Sequence, residues 1–365
     1  MPSIKVVVNF ADGDAYDVRI GPGTFSSLGA HVRSDAPGTS SVLIVSDANV
    51  APLYLDAVRE RMLAAQLPCR EVVLPAGEAT KNVRVVAELW QTMAQLGLDR
   101  TCCIIALGGG MVLDVAGFVA ATFSGGVNLV HVPTTLRAMV SLAIDGRSSI
   151  DLPVGKDIAS VTARPRFVCV DTNALSSLPE GEWGNGWAEA VRAAVLSSDE
   201  SFFWMCERAR GLASHDEELL REMIARCLVF RAGVVAGDAT DDEVRSCLRY
   251  GSELGCAIER IAGYGAFGHG RCIAEGMRLS ARLGAAVCGA SPAFVEEQDG
   301  LLDALGVERI PLAADPDGLI DAMRVDEPSG DGVRFVLPHD VGSWSIETVG
   351  REILRAQMED WLADR

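Results

Sequence analysis

The chain is short of positive charge, with 32 lysines and arginines against 50 aspartates and glutamates and a net charge of −18. So acidic a surface disfavours general binding to nucleic acid or to anionic membranes, although a local basic pocket can persist within it. No apolar run reaches the length of a membrane span. The start, Met1-Pro2-Ser3-Ile4-Lys5-Val6, reads as a strand and not as a signal peptide. Ten cysteines are present without a C-x-x-C pair. Cys102, Cys103, Cys169, Cys227 and Cys247 lie in apolar contexts, which points to reduced thiols used as small core residues and to a cytoplasmic protein. Internal repeats, low-complexity tracts and long linkers are also missing. What is there is 365 residues of globular composition, 49% hydrophobic and 22% charged, enough for two domains and a large core.

The first half alternates strand and helix. Strands are expected at Ile4–Val8, Tyr16–Ile20, Val42–Ser46, Cys69–Leu74, Cys102–Leu107, Val127–Val132 and Phe167–Asp171, with helices at Ala51–Ala65 and Lys81–Leu96. That pattern predicts an α/β fold with a mostly parallel sheet. From Leu175 the periodicity becomes helical, over Trp183–Ser197, Ser201–Ala213, Asp216–Ala236, Glu243–Ile261 and His269–Leu283. Only Val333–Leu337 looks strand-like there. The expected division is an α/β domain over 1–174 and a mostly α-helical domain over 175–365.

The most telling stretch is Cys103-Ile-Ile-Ala-Leu-Gly-Gly-Gly-Met-Val-Leu-Asp114. A buried strand ends in three glycines and a helix follows. Glycines let the backbone approach a pyrophosphate, and helix N-terminal N–H groups face its charge. The G-x-G-x-x-G form is absent, and the same glycines also suit a tight turn with no ligand.

Ligands in such sheets lie beyond the C-terminal strand ends. Asp47 and Asn49 follow one strand there, with acceptors for ribose hydroxyls. Glu78 and Lys81, in Pro75-Ala-Gly-Glu-Ala-Thr-Lys-Asn82, follow another. Gly109, Gly110 and Asp114 form the glycine turn, and Thr134 and Thr135 offer hydroxyls after the next strand. Any one is weak evidence; four at successive strand ends point together to a nucleotide.

These motifs carry a resemblance. The run Pro75-Ala-Gly-Glu-Ala-Thr-Lys81, the segment Ala106–Thr122, Val132-Pro-Thr-Thr-Leu136 with Ala138-Met139, and Leu152-Pro with Gly155-Lys156 resemble the 3-dehydroquinate synthase family of sugar phosphate cyclases. The match extends from the first strand to Phe335-Val-Leu-Pro338. The resemblance implies an NAD-binding domain, a helical metal-and-substrate domain and a homodimer. It also implies a lyase of the shikimate pathway, and so of aromatic amino acid biosynthesis. The substrate is an anionic small molecule, a seven-carbon 2-keto sugar acid phosphate. In that reaction a hydroxyl is transiently oxidised, phosphate leaves, the ketone is reduced back, and the ring opens and recloses by an aldol step.

The resemblance also shows departures. The family's metal site, one Glu and two His, falls on Glu189, His269 and Ser252, so one histidine has become serine. A second histidine, which faces substrate and phosphate, has become Cys256. Serine is a poor zinc ligand. Three readings stay open: a metal-free site, a zinc or cobalt site completed by water and substrate, or a site to which Cys256 adds a thiolate from the same helical face. Cys256 also suits an inert core position. The family's active-site lysines fall on Arg147, Lys156, Arg192 and Arg231, of which only Lys156 is still lysine and is also placed near the cofactor. Arg245 matches a family arginine and Arg249 a family asparagine. A lysine-bearing segment reads Asp326-Glu327-Pro328, a family arginine falls near Gly125, and a family aspartate is Ser141. Arginine grips carboxylate or phosphate with a planar fork but cannot shuttle protons near neutral pH. The cationic set therefore describes an anion pocket with altered proton transfer.

Three functions follow: the family reaction itself; a related NAD-dependent cyclase or polyol dehydrogenase on another anionic substrate; and a non-catalytic paralogue that binds NAD and an anion. The first leads. In it Glu189 and His269 hold whatever metal is present, Lys156 and Arg147 lie nearest the reacting hydroxyls, and Arg245 and Arg249 hold phosphate.

Overall fold

The structure, a computed structural model, describes residues 3–237, 242–312, 314–324, 328–329 and 332–363. The chain divides into two compact units. One comprises residues 1–178 with Arg231–Ala236; the other comprises 179–230 with 237–365. No helix among the described residues is long and apolar enough to cross a membrane.

The first unit runs β1 (Ile4–Asn9), β2 (Ala15–Gly21), α1 (Leu28–Asp35), β3 (Ser41–Asp47), α2 (Ala51–Ala64), β4 (Cys69–Leu74), α3 (Val83–Gln95), β5 (Cys102–Gly108), α4 (Gly110–Thr122), β6 (Asn128–Pro133), α5 (Leu136–Val140), β7 (Arg147–Leu152), β8 (Gly155–Thr162) and β9 (Phe167–Asp171). Seven of the strands form one sheet in the order β1-β2-β9-β6-β5-β3-β4. β1 and β2 pair antiparallel and the other pairings are parallel. The α/β class expected from the alternating pattern is what the chain adopts. β5 and β9 are buried along their whole length, which is why they read as unbroken apolar runs. Cys103, Ile105, Val130, Val132, Phe167 and Cys169 pack there against Leu28, Val58 and Met62.

Parallel pairing sets the C-terminal ends of β3, β5 and β6 along one edge. From β5 the strand order proceeds through β3 to β4 on one side and through β6 to β9 on the other. The direction of winding reverses between β3 and β5, the place where open α/β sheets form a ligand crevice.

Two local readings are corrected in this unit. The helix expected from Lys81 begins at Val83, because the Asn82 side chain accepts the N–H groups of Arg84 and Val85 and caps it. Lys81 is left in the loop. The antiparallel hairpin β7–β8 was not anticipated. It packs on α4 at Gly117, where a Cβ would lie 2.0 Å from the Ser148 hydroxyl.

The second unit runs α6 (Glu180–Ser197), α7 (Asp199–Ala213), α8 (Glu217–Gly237), α9 (Asp242–Ser246), α10 (Ser252–Ala262), α11 (His269–Leu283), α12 (Pro292–Ala304), α13 (Pro316–Met323), β10 (Pro328–Ser329), β11 (Gly332–Asp340), β12 (Ser343–Gly350) and α14 (Arg351–Ala363). Residues 231–236 of α8 belong with the first unit. Leu254 and Ile258 of α10, Leu279 and Leu283 of α11, Phe335 and Leu337 of β11, and Met358 and Trp361 of α14 share one core. The single helix expected over Glu243–Ile261 is broken. A 3-10 turn at Cys247–Arg249 and Gly251, at φ +82°, separate α9 from α10. A Cβ on Gly251 would meet the Ile273 carbonyl at 2.7 Å, and one on Gly276 would meet the Gly251 carbonyl at 1.8 Å. The break therefore lets the start of α10 seat directly on α11. The lone strand expected at Val333–Leu337 is instead the hairpin β11–β12, turned at Gly342 (φ +70°). Helices α12, α13 and α14 also went unread, because their apolar residues are spaced among many charges.

Candidate functional site

In the first unit the nucleotide-site candidates lie at the strand ends. Asp47 closes β3, and its Oδ1 accepts the N–H groups of Asn49 (2.8 Å) and Val50 (3.1 Å), shaping the entry to α2. Asn49 itself is exposed. Gly109 is the N-cap of α4, in extended backbone and with no side-chain cap, so the first N–H groups of α4 lack a capping side chain. Gly110 also has a packing reason, since a Cβ there would lie 2.4 Å from Leu142 Cδ1. The Thr134 hydroxyl is buried and has no hydrogen-bond partner, and so is that of Ser46, the residue before Asp47. Thr135 is occupied otherwise: its hydroxyl caps α5 by accepting the Ala138 N–H at 3.3 Å. Ser46 escaped the sequence reading because one hydroxyl inside an apolar strand resembles a tolerated core serine.

Lys81 is the electrostatic centre of this edge. Its buried ammonium lies 2.7 Å from Asp114 Oδ2, on Asp157, and 3.9 Å from Glu78. Burial alone would lower its pKa, but the Asp114, Asp157 and Glu78 carboxylates more than offset this and hold it above the ordinary lysine value. Burial pushes the Asp114 carboxyl up to about 6, against the pull of Lys81 and of the Ser149 N–H, which it accepts at 3.0 Å. Both are ionised at neutral pH. The hairpin supplies part of this cluster: Asp157 is on β8 at φ +57°, and the Asp151 N–H donates to the Lys81 carbonyl at 2.8 Å. On β6, the His131 Nδ1–H donates to the Ala143 carbonyl at 2.9 Å while Nε2 is buried without a partner. Burial holds the imidazole neutral and depresses its pKa to about 4.

The cationic candidates are divided between the two units, with Arg147, Lys156 and Arg231 in the first and Arg192, Arg245 and Arg249 in the second. Arg147, exposed at the start of β7, pairs across the hairpin with Thr162, whereas Lys156, half-buried, lies beside the turn. Their backbones are separated by roughly 14 Å, from the rise of an antiparallel strand. Arg231 is buried and grips Asp145 with a two-pronged contact at 2.6 and 3.0 Å. Arg245 and Arg249 are half-buried on α9 and the following turn. Ser141 is buried between α5 and the next turn, and Gly125 is in the turn after α4 at φ +83°. Asp326 and Glu327 lie outside the described residues.

In the second unit the expected metal residues come from three helices. Glu189 and Arg192 project from α6 one turn apart, both buried, and the Arg192 guanidinium donates to the Glu189 carboxylate. Its other amino group points to the Ser252 hydroxyl at 3.4 Å and the Tyr250 carbonyl at 3.5 Å. His269 opens α11, with Nδ1 3.0 Å from Glu259, a buried carboxylate of α10. The Gly270 N–H donates to Asn185 at 2.9 Å, and a Cβ on Gly270 would collide with the Asn185 backbone, so α11 is seated tightly on α6. Cys256, four residues after Ser252, is half-buried. Among the described residues, no group of three or more His, Cys, Asp and Glu side chains is arranged to hold a metal ion.

Comparison with known proteins decides the family. Residues 71–185 match the 3-dehydroquinate synthase N-terminal model, and residues 186–329 match the 3-dehydroquinate synthase C-terminal model. The chain belongs to the 3-dehydroquinate synthase family. It is 35% identical over 351 residues to the 3-dehydroquinate synthase of Pelobacter propionicus, covering 96% of this chain and 97% of that one. It is 36% identical over 328 residues to that of Symbiobacterium thermophilum, covering 89% and 91%. Two solved structures share the fold. A 2-deoxy-scyllo-inosose synthase complexed with carbaglucose-6-phosphate, NAD+ and Co2+ matches with a TM-score of 0.90 at 23% identity, over 98% of this chain and 99% of that one. The 2-epi-5-epi-valiolone synthase of Streptomyces hygroscopicus subsp. jinggangensis, with NAD+ and Zn2+ bound, matches with a TM-score of 0.85 at 21% identity, over 96% and 97%. The family is one of lyase and cyclase enzymes.

Proposed function

We propose that the chain is an NAD-dependent carbon–oxygen lyase that cyclises a phosphorylated sugar acid, with 3-dehydroquinate formation as the leading activity. The observation that carries this is whole-length similarity at about a third identity to 3-dehydroquinate synthases. The first unit supports it from the residues upward. The uncapped start of α4 suits a pyrophosphate. The buried hydroxyls of Ser46 and Thr134 are donors and acceptors that only a ligand or water would satisfy. Asp47 and Asn49 are suited to ribose, and Glu78, Lys81 and Asp114 to the rest of the cofactor. Bound NAD would supply a hydride acceptor that is restored within each turnover. Arg147, Lys156, Arg245 and Arg249 provide charge for an anionic substrate, and the enzyme would work as a cytoplasmic homodimer.

The test is phosphate release from 3-deoxy-arabino-heptulosonate 7-phosphate with NAD+. Release with no net NADH is expected. Neither release nor NADH, with NAD+ binding intact, would sink the activity.

A second reading is favoured by the Arg192–Glu189 pair: a related cyclase or polyol dehydrogenase on another anionic substrate, or a paralogue that only binds. The residues present do not fit a divalent ion. Glu189 is engaged by a guanidinium, and position 252 offers only a hydroxyl. Two positive charges, one of them double, about 4 Å apart repel by roughly 8 kcal/mol at an effective dielectric of about 20. Net NADH from an anionic polyol would favour the dehydrogenase, and binding alone the paralogue.

A further inference from the structure

We infer that the second unit carries a built-in cation, the Arg192 guanidinium, at the positions that the family resemblance assigns to the metal, and that this centre works without a metal. The inference does not depend on which substrate the enzyme turns over.

Glu189 and Arg192 are 3% and 6% exposed, so neither is an ordinary surface partner of the helical i, i+3 kind. A buried carboxylate needs a counter-charge, and here the chain supplies one three residues away. The same guanidinium reaches the Ser252 hydroxyl, the second of the three positions that the family resemblance assigns to metal ligands. One arginine thus spans two of the three. The serine fits this role where an imidazole would not. A hydroxyl can accept from a guanidinium and takes less room, whereas a histidine ligand would present either a competing N–H or a bulky ring. Ser252 is held in place by the Gly251–Gly276 approach of α10 to α11, so its position is set by backbone packing.

The third position shows what has been kept. His269 still has a carboxylate on Nδ1, from Glu259, the arrangement that fixes the tautomer of a metal-binding imidazole. With Arg192 on Glu189, that imidazole is left without a matching carboxylate ligand.

A plain alternative is that Glu189 and Arg192 form a buried ion pair that merely specifies the packing of α6. The two ideas separate on metal binding. If the pair is only structural, a divalent ion can still enter and displace Arg192. If the guanidinium is the resident cation, it excludes the ion, because arginine does not lose its proton to make room.

The experiment uses the full chain after chelator treatment, titrated with Co2+ while its visible d–d absorption is followed, and with Zn2+ by calorimetry. The parent is expected to show no saturable binding at micromolar metal and the same Tm with zinc as with chelator. The double variant Arg192→Met with Ser252→His is expected to take up about one equivalent of cobalt, at least 100-fold more tightly than the parent, and to gain Tm with zinc. Its folding is checked by circular dichroism. One equivalent of micromolar cobalt bound by the parent and lost in Glu189→Gln would overturn the inference. So would a folded double variant that stays metal-free. The parent titration stands alone if the double variant does not fold.

Discussion

At the end of β6, Thr134 keeps a buried hydroxyl with no partner, and in the middle of α6, Glu189 keeps a buried carboxylate held by a guanidinium. The two regions treat buried polarity in opposite ways. The strand edge of the first unit leaves hydroxyls and helix-start N–H groups open, a state that a ligand relieves. The α6–α10–α11 cluster of the second unit satisfies its charges from within, Glu189 by Arg192 and His269 by Glu259. An open set of polar groups signals something to be bound, whereas a closed set is satisfied without a ligand.

Removing one member of the closed set is expected to have the largest effect. Glu189→Gln leaves Arg192 buried without its counter-charge and should destabilise the protein by about 3–5 kcal/mol. Replacing both, Glu189→Leu with Arg192→Met, should cost far less, since two apolar side chains of similar size leave no charge behind. Chemical denaturation of the three proteins checks this. Equal losses for the single and double variants would mean that the unpaired Arg192 charge is not the source of the destabilisation.

A second prediction sharpens the contrast through pH. His131, in the first unit, has its folded pKa depressed to about 4 from 6.5. A group depressed in the folded state adds stability above its unfolded pKa and loses it as pH falls through the folded value. The stabilisation from His131 is therefore present at pH 7 and gone below about pH 4, a change of about 3 kcal/mol at 1.36 kcal/mol per pKa unit. The urea midpoints at pH 7 and pH 4 should lie closer together for His131→Asn than for the parent. Asp114 changes in the opposite sense, since its raised pKa stabilises most at low pH, but it is common to both proteins and cancels.

The smallest effect on stability belongs to the open set. Thr134→Val removes a hydroxyl that nothing in the chain satisfies, so the unliganded protein should be unchanged or up to about 1 kcal/mol more stable. NAD+ affinity, measured by calorimetry, should fall about tenfold, the worth of one hydrogen bond. A destabilised unliganded protein with unaltered NAD+ affinity would mean that Thr134 serves the fold alone.

The strand ends were legible because β3, β5, β6 and β9 are buried on both faces and so read as apolar runs, and because a strand that must turn sharply into a helix shows its glycines. The family likeness was legible for the same reason: its motifs sit in those turns. Hairpin β7–β8 and strand β12 were missed. Their residues alternate between partial burial and exposure, and pairing partners, not local propensity, make them strands. The break between α9 and α10 was missed because Gly251 interrupts a helical rhythm without ending it.

The sequence by itself determined the α/β class, the glycine turn, the loops at the strand ends and the substitution of serine and arginine into a charged centre. These are matters of residue type, order and spacing along the chain. The tertiary structure alone decided which charges meet. Arg192 was expected in an anion pocket and is found on Glu189. Arg231 was placed in the same pocket and is found gripping Asp145, 86 residues away. Charge is written in the chain, but Coulomb attraction depends on distance and burial, and both are set only when the helices pack.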